Sequence, residues 1–314
     1  MAKVTPTGEL VDEKLVVSGL SKVFPHRKSP VVALDGVDMH VDAGELVCLL
    51  GASGCGKSTL LSIIGGLETA TTGEVLVEDE LVVGPGADRG MVFQAYSLFP
   101  WLNVARNIEF GLEVAKWPKA RRKERVAELL GIMGLTEFAG TLPSALSGGM
   151  RQRVALAMAL SCDPKVLLAD EPTTALDVMV AAQVLALIDR LTRELDLALV
   201  LVTHDLPLVT RTCDRVQVMY AGKVAESGTP AAIYHEARHP YTRLLFAATA
   251  DLHGNGPDPV TIHGSPPRLD HVVEGCGFAS RCPRAQTDCT IQTPVLHNAG
   301  EGRAWACHHP EGRK

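Results

Sequence analysis

The sequence predicts an α/β fold built around a mainly parallel sheet, and three observations carry that expectation. Apolar runs of strand length recur along the chain: ELVCLL at 45–50, KVLLAD at 165–170, LALVLVTHD at 197–205 and RVQVMY at 215–220. Each is followed by loop or helix signals, the alternation expected when neighbouring strands are joined by crossover helices. A glycine-rich turn from Gly51 to Gly56 separates the first of these runs from a helix-forming stretch, Lys57 to Ile64.

Taken in order, residues 14 to 50 read as strands and turns. LVVSGLSKVF is largely apolar, PHRKSP is a turn, and VVALDGVDMHV alternates as a half-buried strand does. Ala43-Gly44-Glu45 turns the chain into ELVCLL. Strand character returns between 74 and 93, in EVLV and GMVF. From about 100 to 165 the periodicity is mostly helical, and RRKERVAELLGIMGL sets Val126, Leu129 and Leu130 on one face. That block is expected to be a helical subdomain inserted into the α/β core. Near 250 the texture changes. DLHGNGPDPVTIHGSPPRLD is rich in Gly, Pro and His and cannot hold a long helix. The last 40 residues or so are Cys-rich and poor in apolar side chains, so they need something besides a hydrophobic core. The expected division is 14–250 and 251–314.

The 314 residues are 46% apolar and carry 30 Lys plus Arg against 36 Asp plus Glu, a formal charge of −6. That balance disfavours nucleic acid as a partner. No apolar run approaches the ~18 residues that span a bilayer, and MAKVTPTGELVDE lacks the apolar stretch of a secretion signal. A soluble chain is expected, any membrane role falling to a partner. Cys48, Cys55, Cys162 and Cys213 are scattered, whereas Cys276, Cys282, Cys289 and Cys307 crowd into the tail. This is the pattern of a cytosolic protein with one local site.

Gly51-Ala52-Ser53-Gly54-Cys55-Gly56-Lys57-Ser58-Thr59 fits GxxxxGK[ST] in full. Glycines let such a loop curl so that successive N–H groups face phosphate oxygens, and the following helix adds its positive N-terminal end. Lys57 is expected to reach the β and γ phosphates and Ser58 to ligate Mg²⁺. Asp170 ends an apolar strand and Glu171 follows it. The first suits the Mg²⁺ shell and the second the polarisation of an attacking water, although two acids at a strand end also suit a plain surface turn.

At this point the chain resembles one family, the ATP-binding subunits of ABC transporters. Leu146-Ser147-Gly148-Gly149-Met150-Arg151-Gln152-Arg153 is similar to its signature sequence. Val92-Phe93-Gln94 resembles its glutamine loop, Thr174-Ala175-Leu176-Asp177 its D-loop and Val202-Thr203-His204-Asp205 its switch histidine, in the family's order over about 14 to 230. The resemblance implies a P-loop NTPase, RecA-like core with an antiparallel β subdomain. It further implies a nucleotide clasped between the loop of one subunit (Gly51, Ser53, Gly54, Cys55, Gly56, Lys57, Ser58, Thr59) and Ser147, Gly148 and Gly149 of the other. Asp177 would cross the interface, Gln94 would sense the metal or the water, and His204 would position Glu171. Phe24 lies where the family stacks adenine, and a strand-end core residue is the alternative.

Two subfamilies are resembled at once. GASGCGKSTLL and GPGADRGMVFQAYSLFPWLNVARNI are similar to nitrate, sulfonate and taurine importer ATPases. From LSGGMRQRVALAMALSCDPKVLLADEPTTALDV onward, through AAIYHEARHPYTRLL, the chain resembles dipeptide, oligopeptide and nickel importer ATPases. Gly264-Ser265-Pro266-Pro267 and the four tail cysteines, spaced C-x5-C-x6-C-x17-C, resemble the C-terminal module of the latter. No C-x2–4-C pair of the usual zinc kind is present, so a [4Fe–4S] cluster is favoured. Zinc, with His308 or His309, and free thiols stay open. Tyr96 to Asn103, with Phe99 and Trp101, suits a docking groove for a membrane subunit or a satellite of the core. The implied partners are a second ATP-binding subunit, identical or paralogous, two transmembrane permease subunits and an extracellular solute-binding protein, with the chain on the cytoplasmic face of the membrane. A soluble cassette acting in DNA repair or translation is the contrasting reading. It would call for tandem cassettes or a long coiled-coil insertion, and neither is seen.

Overall fold

The computed structural model describes residues 3–4, 10–11, 13–26, 29–174, 176–248, 261–267, 274–300 and 302–312. Ala175 of the D-loop segment, and 251–260 and 268–273 of the Gly/Pro/His-rich stretch, lie outside the described residues. The elements run in the following order. Strands β1 (Lys3–Val4), β2 (Leu10–Val11), β3 (Glu13–Phe24), β4 (Val31–Asp42) and β5 (Leu46–Leu50) precede helix α1 (Lys57–Ile64). Then come β6 (Thr72–Val77), β7 (Glu80–Leu81), β8 (Arg89–Val92), α2 (Val104–Val114), α3 (Lys119–Met133) and α4 (Gly148–Leu160). The chain continues with β9 (Val166–Asp170), α5 (Val178–Glu194), β10 (Ala198–Val202), α6 (Leu206–Thr212), β11 (Arg215–Tyr220) and β12 (Lys223–Gly228). It closes with α7 (Pro230–His235), α8 (Pro240–Ala247), α9 (Thr287–Ile291), β13 (His297–Gly300) and β14 (Arg303–Trp305).

An eight-stranded sheet in the order β13-β14-β12-β11-β5-β10-β9-β8 forms the centre, and β11, β5, β10, β9 and β8 are mutually parallel. A four-stranded antiparallel sheet, β4-β3-β6-β7, packs on it. The period-2 geometry of strands assigns the core. Val47 and Leu49 of β5, Leu168 of β9 and Val200 of β10 face one way, where they meet Leu15, Val17, Leu34 and Val37 of the antiparallel sheet. Leu46, Leu167, Ala169, Leu199 and Leu201 face the other way, toward the helices. Burial on both sides explains why these strands read as continuous apolar runs rather than alternating ones.

The helical region supplies its own apolar face. Val126, Leu129 and Leu130 are buried with Val104, Ile108, Leu112 and Val154, as the periodicity predicts. Among the described residues no helix is long and apolar enough to cross a membrane.

The tail is tied to the sheet. β14 pairs with β12 (Glu226 with Trp305, Ser227 with Ala304), and β13 pairs with β14. Phe278 is 1% exposed and packs with Tyr220, Tyr241, Val218 and Ile233 in a third apolar cluster. Sequence periodicity hides this because β14 is three residues long and β13, HNAG, is polar and exposed.

Candidate functional site

Strand register gathers the candidate residues at one edge. Val202 is level with Leu49 across the β10–β5 pair and with Asp170 across β10–β9, while Val92 is level with Ala169 across β8–β9. Gly51, Gln94, Asp170, Glu171 and His204 therefore leave the sheet together at the carboxyl ends of parallel strands, where open α/β sheets place their ligands.

The loop after β5 needs glycine at two positions for clear reasons. Gly51 has φ +147°, and a Cβ there would lie 2.3 Å from the Met219 carbonyl oxygen. Gly56, with φ +107°, would press a Cβ to 2.5 Å from the Ala33 oxygen. The Lys57 ammonium donates to the Gly51 and Ala52 carbonyls at 2.7 and 3.2 Å, which holds its charge at the mouth of the loop. Behind it the Ser58 hydroxyl faces Asp170. Burial pushes the Asp170 carboxyl above its ordinary range; the Ser58 hydrogen bond opposes that rise and the adjacent Glu171 carboxylate adds to it. The Asp170 carboxylate and the Ser58 hydroxyl, both hard oxygen donors, fit Mg²⁺.

Glu171 is the focus of the polar contacts. Its φ of +47° places a non-glycine residue in the left-handed region, a cost of about 1–2 kcal/mol that surrounding contacts must offset. Its N–H donates to the Val202 carbonyl at 2.9 Å. Its Oε2 accepts from Gln94 Nε2 at 3.1 Å and from the Thr174 hydroxyl at 2.9 Å, and His204 Nδ1 lies 3.6 Å away. The structure thus joins Gln94, Glu171 and His204 and adds Thr174, which the sequence placed in the D-loop segment without a role at the carboxylate. Gln94 lies on Glu171 here, and no contact joins it to Ser58 or Asp170 among the described hydrogen bonds.

Ser147 caps α4 by accepting from the Met150 N–H at 3.3 Å, and Asp177 caps α5 by accepting from the Val180 N–H at 3.0 Å. The exposed, serine-capped start of α4 is a helix N-terminus of the kind that binds anions, whereas α5 already carries the Asp177 carboxylate at its end. Gly148 and Gly149 open α4. Phe24 ends β3 half-buried, with the Lys22 ammonium 4.8 Å from its ring centroid. The aromatic loop is built around Asn107, a fully buried side chain on α2. Its Oδ1 accepts from the Phe99 N–H at 2.8 Å, and its Nδ2 donates to the Phe99, Leu102 and Asn103 carbonyls. Phe99 packs against Phe110 with centroids 4.4 Å apart and the rings tilted, and Trp101 is 73% exposed. Asn107 also escaped sequence reasoning, because a lone Asn within an amphipathic helix carries no signal of its own.

Cys276, Cys282, Cys289 and Cys307 line one cavity with Phe278, His239, His308 and His309. None forms a disulfide. Burial pushes up the thiols of Cys276 and Cys282, and that of Cys307 to about 11, the neighbouring cysteines adding to each rise. A cation would reverse this by stabilising the thiolates. Tetrahedral zinc, with Zn–S bonds near 2.3 Å, draws sulfurs to about 3.8 Å of one another. Among the described residues only Asp288, Cys289 and His309 bring three ligand atoms within 4.8 Å, so no three of the cysteine sulfurs are that close. Four soft donors lining one cavity fit an iron–sulfur cluster. The Asp288–Cys289–His309 group keeps zinc as the second fit.

Comparison with known proteins gives two family matches: "ABC transporter" over residues 34–174 and "Oligopeptide/dipeptide transporter, C-terminal region" over 225–289. The Bacillus subtilis oligopeptide transport ATP-binding protein AppD is 39% identical over 313 residues, 93% of this chain and 95% of that protein. The B. subtilis dipeptide transport ATP-binding protein DppD is 38% identical, covering 89% of each chain. The nitrate import ATP-binding protein NrtD of Synechocystis is 44% identical over 205 residues, 65% of this chain and 77% of that protein. Among solved structures, the ATP-binding cassette MJ0796 in a dimeric, post-hydrolysis state with ADP and Pi aligns with a TM-score of 0.62 and 32% identity, over 69% of this chain and 98% of that one.

Proposed function

The chain belongs to the ATP-binding subunits of ABC transporters, and on that premise we propose that it binds and hydrolyses Mg·ATP to drive an importer of peptides or related solutes. The observation that carries the chemistry is the convergence of Gln94, Thr174 and His204 on the Glu171 carboxylate, beside a loop that presents Lys57 and Ser58. In this reading Glu171 polarises the attacking water, Gln94 and Thr174 fix its carboxylate, and His204 turns to the γ-phosphate. Lys57 leaves the loop carbonyls for the β and γ phosphates. Mg²⁺, held by Ser58, Asp170 and Gln94, would offset phosphate charge as the terminal bond breaks. Phe24 offers adenine a ring.

A second cassette completes the site. Ser147, Gly148 and Gly149 would meet the γ-phosphate of the partner's nucleotide, with Asp177 crossing the interface. Val178 and Met179, beside Asp177, are 85% and 73% exposed, which supports a covered surface there. Two permease subunits would dock at the Phe99–Trp101 loop, placing the chain peripherally on the cytoplasmic face, with a solute-binding protein outside. The peptide assignment, with nickel or another solute as a variant, is supported by the near full-length likeness to AppD and DppD and by the match at 225–289. Nitrate-type import is the second reading, supported by the higher identity over the shorter NrtD alignment.

We divide the chain into a cassette, 14–250 with a helical region at about 100–165, and a Cys-rich C-terminal module, 251–314. Cys276, Cys282, Cys289 and Cys307 would hold a [4Fe–4S] cluster, with zinc as the alternative. Bound there, the metal supplies cross-links that the sparse apolar content of this segment does not. Absorbance in the sulfur-to-iron charge-transfer region and metal analysis of anaerobically purified protein distinguish the two.

Calorimetry of the full chain with Mg·ATP tests the central claim. Binding is expected for the wild type, and K57A should lose turnover. A K57A protein with normal ATPase activity would refute the assignment.

A further inference from the structure

Tyr241 lies 189 positions from Ala52 in the sequence, yet its hydroxyl accepts the Ala52 N–H at 2.9 Å. That peptide group also carries the Gly51 carbonyl, one of the two that hold Lys57. Tyr241 is itself fixed with little freedom. It is 1% exposed, and its own N–H donates to His239 Nδ1 at 3.0 Å. The chain before it is clamped by Glu226, 0% exposed, whose two carboxylate oxygens accept from the Arg238 and His239 N–H groups at 2.7 and 2.9 Å.

The far side of the ring is seated on the cysteine-bearing segment. Tyr241 packs against Tyr220 at 4.5 Å and Phe278 at 5.4 Å between centroids, and Tyr220 meets Phe278 edge-on at 5.2 Å. Arg281 donates to the Tyr220 hydroxyl at 3.0 Å. Phe278 and Arg281 both lie between Cys276 and Cys282. A continuous path of packed rings and two hydrogen bonds therefore runs from the cysteine cavity to the peptide that follows Gly51.

We infer that Tyr241 is a positioning residue for the phosphate loop and that Phe278 is its seat, so that nucleotide affinity and the order of the four-cysteine segment are linked. The inference rests on the proposed nucleotide site and names a contact that tunes it. Linkage is reciprocal: if the segment steadies the loop, nucleotide at the loop must steady the segment by the same factor.

Tyr241→Phe keeps the rings and removes one hydroxyl, leaving the Ala52 N–H without that acceptor. In the full chain it should weaken Mg·ATP by about three- to tenfold, the reach of one hydrogen bond. The catalytic cluster at Glu171 is untouched, so turnover at saturating ATP should hold while KM rises. Hydrogen exchange supplies a readout that simple destabilisation would not move. In the wild type, Mg·ATP should slow exchange across 274–291. In Y241F the segment should exchange at the wild-type rate without nucleotide and lose that slowing. Phe278→Leu should raise its exchange without nucleotide and weaken Mg·ATP by a similar factor, despite the intact hydroxyl. Should F278L fail to fold, Y241F alone decides. Unchanged affinity in Y241F, or equal slowing of 274–291 by Mg·ATP in Y241F and wild type, overturns the linkage while the nucleotide site stands. A wild-type chain that does not bind Mg·ATP removes both.

Discussion

The phosphate loop and the cysteine cavity sit at opposite ends of a short chain of contacts, yet they are held up in different ways. The loop hangs from β5, a strand with every residue buried; its neighbour β10 is equally buried, and β9 beyond it is buried in all but its last residue. The cavity is framed by turns, a single 3-10 turn at Ala279–Arg281 and the five-residue α9, with apolar support chiefly from Phe278. A helix of that length has little stability of its own. At the loop the scaffold exists for its own reasons and a ligand adds recognition. At the cavity four thiols share one lining, and burial disfavours those of Cys276, Cys282 and Cys307 as anions, so a bound cation would be needed to make them ligands. The contrast separates a site that the fold builds from a site that a metal is expected to build.

The largest effect should come at the loop. Glu171→Gln preserves shape and removes the proposed base, so ATP hydrolysis should fall by about 10²–10⁴-fold while Mg·ATP affinity and melting temperature stay close to wild type. Parallel loss of binding and hydrolysis in calorimetry and turnover assays would break the contrast, since it would make Glu171 part of the scaffold. Next in size, Cys289→Ser removes a buried donor. Metal retention should drop by at least about 100-fold, and hydrogen exchange across 274–291 should accelerate, while exchange in β5, β9 and β10 stays slow. If those strands loosen equally, the cavity is a support of the whole sheet and the contrast fails.

The smallest effect sharpens the scaffold side. His40 bridges the antiparallel sheet to the core, where its ring and carbonyl meet Arg215, which also pairs with Glu45. Burial, helped by Arg215 and opposed by Glu45 and Glu13, holds the His40 imidazole below its ordinary 6.5. The unfolded chain then binds a proton that the folded chain rejects. The stabilisation is complete above about pH 6.5 and lost as pH falls below it. His40→Gln should flatten that acid decline, measured as denaturation midpoint against pH, with no change in Mg·ATP affinity.

Much of the loop site is legible in sequence because its chemistry demands fixed local spacing. Gly51, Gly56, Lys57 and Ser58 must be neighbours for backbone N–H groups, ammonium and hydroxyl to meet one phosphate chain. The face of α3 is legible for the same reason, a period that Val126, Leu129 and Leu130 obey. Thr174, Asn107 and Tyr241 were not: the first two meet near neighbours through turn geometry that composition does not encode, and Tyr241 meets a partner fixed by tertiary packing. Tyr241 reads as part of a family-like HPYT segment, and nothing in its neighbours says that its hydroxyl points at Ala52. The edge strands of the tail were hidden as well. Three residues of strand leave too little pattern, and their place is set by the open edge of β12 rather than by their own composition.

Gly149 carries one more consequence. A Cβ there would stand 2.4 Å from Val180 Cγ1, so α4 rides against the first turn of α5 with no room to spare. Val180 is the residue whose N–H Asp177 caps. Ser147 and Asp177, two residues assigned to the face of a partner, are thus geared to each other within one subunit. In a paired assembly, a shift of the aspartate would press through Val180 and Gly149 on the serine, so that one tight contact would tie both nucleotide sites together.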